Sequence, residues 1–198
     1  MINLGSNRKI ITLTGGPCGG KTTLINELCN NPLYKNIFVP IPEAVFYVLQ
    51  TQTSPKEKTF QKLMVEVQSA MENALDKCLE PDKIFICHRG TLDPLAYWLE
   101  NGWNNDAFFT FTKTSIQEHY NRYYAVIHLQ TSAVNAKDDY RFYPNAPRHE
   151  NAEQASKIDA LLAKAWKGHS NYNFIESRAT WEPKRDKFYN VISALLQK

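Results

Sequence analysis

The sequence predicts a single α/β domain built on a mainly parallel, five-stranded sheet flanked by helices. Three observations carry that expectation. Apolar runs of strand length alternate with helical patterns along the whole chain, the arrangement from which parallel sheets are wound. The 198 residues, 43% hydrophobic and 22% charged, suffice for one sizeable core but not for two full domains, so 1–198 reads as one unit. Between the first strand-like run and the first helical one lies LTGGPCGGKTT, Leu13 to Thr23, with the spacing G-x-x-x-x-G-K-T.

The elements follow in order. Lys9 to Leu13 is a β-branched run suited to a buried parallel strand, and Leu24, Ile25 and Leu28 after the loop stand at helical spacing. Ile37 to Ile41 is the second strand, with a helix starting near Pro42. Lys56 to Leu79 places Phe60, Leu63, Met64, Val67, Met71, Leu75 and Cys78 at steps of three and four, a long helix with one buried face. Lys83 to Cys87 and Ala125 to Gln130 are the third and fourth strands. Between them the aromatic stretch Phe108 to Tyr124 reads as a long helix packed on the sheet rather than a base pocket. Asn151 can cap a helix whose apolar stripe is Ile158, Leu161, Leu162 and Trp166 and which Gly168 ends. Asn173 to Glu176 is the fifth strand, and Glu182 to Leu196 the last helix, with Phe188, Val191, Ile192 and Leu195 inward.

The loop motif has a mechanism. Glycines let the backbone turn tightly and point its N–H groups inward, making an anion nest at the positive end of a helix. Lys21 is then placed to reach β- and γ-phosphates, and the Thr22 hydroxyl to ligate Mg²⁺. The expected nucleotide-binding residues are Gly15, Gly16, Pro17, Cys18, Gly19, Gly20, Lys21, Thr22 and Thr23. The domain is thus a P-loop NTPase domain in expectation, and the polar stretch at about 131–150 fits a lid-like loop over the site.

Ligands of open parallel sheets sit at the carboxyl ends of the strands. Glu43 follows strand two and HRGTLDP, His88 to Pro94, follows strand three. His88 stands where a Mg²⁺-holding aspartate is expected, and a neutral imidazole is a poor partner for so hard an ion. Either Glu43 supplies the acid from the adjoining strand, as metal ligand, catalytic group and substrate contact, or catalysis is weak or lost. The plain alternative for Glu43 is an acid in the first turn of a helix. Arg89 suits a clamp on phosphate or substrate hydroxyl, or an ion pair. Asp93 before Pro94 suits a substrate contact or an N-cap, and His88 a base or substrate contact. Arg148 as a catalytic residue and Arg141 as a substrate contact could close over the nucleotide, or be solvated loop arginines.

Composition excludes other classes. A net charge of +3, scattered along the chain, gives no footprint for nucleic acid. Four cysteines without C-x-x-C spacing, and five histidines without ligand spacing to them, point to reduced thiols in the cytoplasm. No leader-like or membrane-spanning run is present. The strings AKDD and TKTS are incomplete versions of a guanine-recognition loop, which favours ATP over GTP.

Several segments together resemble one family. LTGGPCGGKTTL, VPIPEA, CHRGTLDPLAYW, AVIHLQTSA and NAPRHENAEQASKIDALLAKAWKGH stand in the order found in the small AAA-like ATPases. These include the nicotinamide riboside kinase domain of NadR-type proteins and the nucleotide-binding domain of certain GTP- and phosphoinositide-binding trafficking proteins. The resemblance implies a nucleoside-kinase-like core, with Arg89 and Asp93 in the middle motif and Arg148, Glu150 and His169 in the late one. His88 replaces the aspartate that the family carries before Arg-Gly. The expectation is a Mg²⁺-dependent kinase or ATPase that binds ATP (or GTP) and passes the γ-phosphoryl group to a small hydroxylated acceptor. Its rival is a nucleotide-dependent switch that recruits a protein or, peripherally, an anionic lipid.

Overall fold

A computed structural model describes residues 8–135 and 150–197 of the chain. Five strands, β1 (Ile10–Thr14), β2 (Phe38–Ile41), β3 (Ile84–His88), β4 (Ala125–Leu129) and β5 (Tyr172–Ile175), form one sheet in the order β2-β3-β1-β4-β5. Every pairing in it is parallel, with Leu13 opposite His88 and Thr14 opposite His128. Parallel strands must be covered on both faces, which is why all five residues of β1 and of β4 are buried.

Nine α-helices provide the cover among the described residues: α1 (Lys21–Asn30), α2 (Val45–Val48), α3 (Lys58–Cys78), α4 (Asp93–Glu100), α5 (Asn105–Thr112), α6 (Ile116–Arg122), α7 (Ser132–Asn135), α8 (Ala152–Trp166) and α9 (Glu182–Leu196). Successive side chains of a strand point to opposite faces, and β1 divides accordingly. Ile11 and Leu13 join Leu24 and Leu28 of α1 and Phe188 and Ile192 of α9 in one core. Ile10 joins Phe85, Trp98, Phe108 and Trp166 in the other, beneath α3, α4, α5 and α8.

The expected fold is the observed one, with local corrections. The helix expected near Pro42 begins only at Val45, because Pro40 and Pro42 favour extended backbone for the residues before them. Phe108 to Tyr124 is two short helices rather than a long one. Lys113 closes α5 in the left-handed region at φ 57°, and Ser115 opens α6 through a reciprocal capping box with Glu118. The buried face of α3 is rotated from the apolar stripe. Gln61, Gln68, Ser69 and Glu72 are buried and Cys78 is exposed. A polar network explains the rotation: the Glu72 carboxylate accepts from Arg122 Nε, from Tyr123 Oη at 2.9 Å and from Gln68 Nε2 at 2.8 Å. His88 is the last residue of β3 rather than the first beyond it. The Asn151 capping box with Gln154 opens α8 as expected, and α8 ends at Trp166, before Gly168. Of the lid-like loop, 131–135 is described and carries α7; Arg141 and Arg148 lie outside the described residues.

Candidate functional site

The phosphate loop runs from the carboxyl end of β1 to the first residue of α1. Gly15 has φ 121°, and a Cβ there would stand 2.0 Å from the carbonyl oxygen of Leu129, so only glycine lets loop and β4 approach. Gly20 has φ 87°, caps α1, and lies against the Trp181 ring. Lys21 is 5% exposed, and its Nζ donates to the carbonyls of Gly15 at 2.9 Å and Gly16 at 2.8 Å. The loop is also held from outside. Asp159 of α8 accepts the Gly16 N–H at 2.6 Å and the Thr131 N–H at 3.1 Å, and the same oxygen lies 3.1 Å from His128 Nε2. Burial works against this carboxylate's charge, but His128 and the two backbone N–H groups outweigh it and hold its pKa below the usual range.

At the ends of β2 and β3 the side chains form one connected set. Glu43 is 7% exposed; its Oε1 accepts from Arg89 Nε at 3.1 Å and its Oε2 lies 3.4 Å from His88 Nδ1. His88 Nε2 is 2.7 Å from Thr22 Oγ1. Burial, then the nearby charges of Lys21 and Arg89, lower the His88 pKa to about 3. The ring is therefore neutral, and its approach to Glu43 is not an ion pair. Arg89 adopts φ 95°, costly for a side chain with a Cβ, and the cost is met by contacts on every side. Its Nη1 donates to Gly15 O at 2.9 Å and Asp93 Oδ2 at 3.2 Å, and its Nη2 donates to Tyr97 Oη at 3.2 Å. Asp93 also accepts from Thr14 Oγ1 at 3.0 Å and from Trp166 Nε1 at 2.7 Å. The N-cap expected of Asp93 is not formed: Leu92 holds that position and the carboxylate is spent on this buried network.

A model of an AAA-domain family matches residues 10–184. The chain belongs to that family. Among solved structures, deoxyadenosine kinase from M. mycoides with bound dATP is similar in fold. It aligns at a TM-score of 0.63 and 16% identity over 94% of this chain and 100% of that one. No curated protein matches.

In this AAA-domain chain five of the expected site residues, Thr22, Glu43, His88, Arg89 and Asp93, line two hollows. Thr22, Glu43 and His88 line a cleft with Ile25, Ile41 and the half-exposed ring of Phe46. Arg89 and Asp93 line a second pocket, with apolar walls from Val45, Leu49, Phe60 and Met64. Its polar groups are Gln61, Gln68, Arg89, Asp93, Tyr97 and Glu150. A third hollow, at the end of β5, is lined by Asn135, Glu176, Ser177, Arg178 and Thr180. Cys18 is exposed on the loop.

Several residues that build the site were not singled out from sequence. Asp159 carried a readable signal, a lone charge on the apolar stripe of α8 between Ile158 and Leu162. His128 likewise interrupts the apolar run of β4. Gln61, Gln68 and Tyr97 carried none. Among the described residues, no cluster of three or more His, Cys, Asp or Glu could hold a metal ion, and no helix is long and apolar enough to cross a membrane.

Proposed function

We propose that the chain is a cytosolic kinase that binds ATP, or less readily GTP, at its P-loop. It passes the γ-phosphoryl group to a small hydroxylated acceptor in the pocket beside Asp93. The observation that carries this reading is the position of Arg89: one guanidinium both donates to the loop carbonyl of Gly15 at 2.9 Å and lines the acceptor pocket. A donor site and an acceptor site that share a side chain bring a phosphate and a hydroxyl within reach of each other. Phosphoryl transfer needs little from the protein beyond such positioning and charge stabilisation.

Lys21 and the loop N–H groups would hold the β- and γ-phosphates, apart from that of Gly16, which Asp159 takes, and at Pro17, which has none. A divalent cation, Mg²⁺ in the sequence reading, needs only one or two protein oxygens when phosphates and water complete its shell. The residues meet that minimum: Thr22 Oγ1 would bind the ion, with Glu43 acting through water or through His88. The ion would neutralise charge on the bridging phosphate oxygens. Arg89 would orient the acceptor, and Glu43, paired with it at 3.1 Å, would take the departing proton; Arg141 and Arg148, outside the described residues, are the further candidates to stabilise charge on the transferring group.

A second reading, a nucleotide-dependent switch with little turnover, draws on the bond between His88 Nε2 and Thr22 Oγ1, which engages the hydroxyl the ion would need. Incubation with ATP or GTP and a panel of nucleosides, sugars and polyols, read by mass spectrometry, separates the two. A phosphorylated acceptor is the expected result. Tight nucleotide binding with no phosphorylated product would overturn the kinase reading in favour of the switch.

A further inference from the structure

The imidazole of His88 faces two ways. Nε2 lies 2.7 Å from Thr22 Oγ1, while Nδ1 lies 3.4 Å from Glu43 Oε2, buried and without a hydrogen bond of its own. With the Thr22 hydroxyl donating to Nε2, the ring proton resides on Nδ1, beside the Glu43 carboxylate but without a hydrogen bond to it. A neutral imidazole presents at Nε2 the lone pair that a metal ion takes, and here Nε2 is the nitrogen turned towards the start of α1. Glu43, fixed by Arg89 Nε at 3.1 Å, sets a carboxylate beside the ring, whose one hydrogen bond is to Thr22.

The spacing agrees. Ligands at adjacent corners of an octahedron with bonds of roughly 2.1 Å stand about 3.0 Å apart. Thr22 Oγ1 and His88 Nε2, hydrogen-bonded at 2.7 Å, stand within a few tenths of an ångström of that spacing, and an ion takes both once the hydroxyl turns its proton away and the ring turns its lone pair off the oxygen. Both line one cleft at the start of α1, open to solvent past Phe46. The described residues offer no three-donor cage, so phosphate oxygens and water must fill the remaining positions.

We propose that His88 Nε2 and Thr22 Oγ1 together ligate the nucleotide's divalent ion, so that this chain takes its nucleotide with an imidazole-accepting transition cation in preference to Mg²⁺. Mg²⁺ dehydrates reluctantly and favours oxygen, whereas imidazole affinity rises through Mn²⁺, Fe²⁺ and Co²⁺. The inference rests on the reading that the loop binds nucleotide.

The test uses the full chain and a non-hydrolysable ATP analogue, titrated calorimetrically with Mg²⁺, Mn²⁺ or Co²⁺. Affinity is expected to rise in that order, with Co²⁺ about tenfold or more above Mg²⁺, the scale on which ligand-shell changes act. His88→Asp should tighten Mg²⁺-dependent binding and erase the Co²⁺ margin. Electron spin echo spectra of the wild-type Mn²⁺ complex should show nitrogen coupling from an imidazole, absent in His88→Gln. Nucleotide bound equally with all three ions and without nitrogen coupling would overturn the metal assignment alone. No nucleotide binding with any ion would overturn it together with the proposed function.

Discussion

Lys21 spends ammonium hydrogens on the carbonyls of Gly15 and Gly16, so it holds the loop's shape as well as its charge. Lys21→Ala should bring ATP binding below calorimetric detection while costing the fold only about 1 kcal/mol for the lost bonds, with the circular dichroism spectrum unchanged. Unchanged affinity would remove the loop from the site. Glu43 precedes α2, whose N-cap is Ala44, and its carboxylate is paired with Arg89 rather than set against the helix end. Glu43→Gln should therefore lower turnover by about tenfold or more and leave ATP affinity within a few-fold, the pattern of a group that acts mainly in the transition state. Single-turnover rates beside titrations measure both. At this scale the loop was legible because its chemistry is contiguous in sequence. Asp159 stands out as a charge on its apolar stripe, but its partner could not be read, because it meets Gly16 across 143 positions and only folding brings the two together.

Among elements, α3 shows how tertiary charge overrides an apolar stripe. The sequence places Leu63, Met64 and Val67 inward, yet they are only half-buried, and the helix turns to set Glu72 against Arg122, both fully buried side chains. Removing one partner leaves the other charge buried and unpaired. Glu72→Ala should cost about 3–5 kcal/mol in urea unfolding, and a loss under about 1 kcal/mol would mean that Arg122 finds other partners. The lengths of β1 and α8 were readable from hydrophobic period and caps. The division of Phe108 to Tyr124 was written in Ser115 and Glu118, a capping box inside a stretch whose aromatics suggest continuity. Gln61 and Gln68 reach the pocket beside Arg89 through the same rotation of α3, so no period in the sequence could announce them.

For the molecule as a whole, acid stability follows from histidines kept neutral inside. His119 is fully buried between the hydroxyls of Thr91 at 2.9 Å and Thr114 at 3.0 Å, and burial, then Arg122, lowers its pKa to about 3. The unfolded chain takes up a proton near pH 6.5 that the native state refuses, so stability is full above about pH 6.5 and falls as pH drops towards 3. The urea midpoint should be lower at pH 5 than at pH 7.5, and His119→Gln should narrow that difference; an unchanged difference would place the proton uptake elsewhere. The sheet order has a consequence for synthesis. β1 emerges from the ribosome early but pairs on one side with β4, and its loop is completed by Leu129 and Asp159, made much later. Sheet pairing of this kind cannot form until the distant strand arrives. A nascent chain stalled before residue 159 has cleared the exit tunnel therefore carries the whole nucleotide motif and should not yet retain ATP; the ability to bind is acquired at the moment α8 closes over the loop.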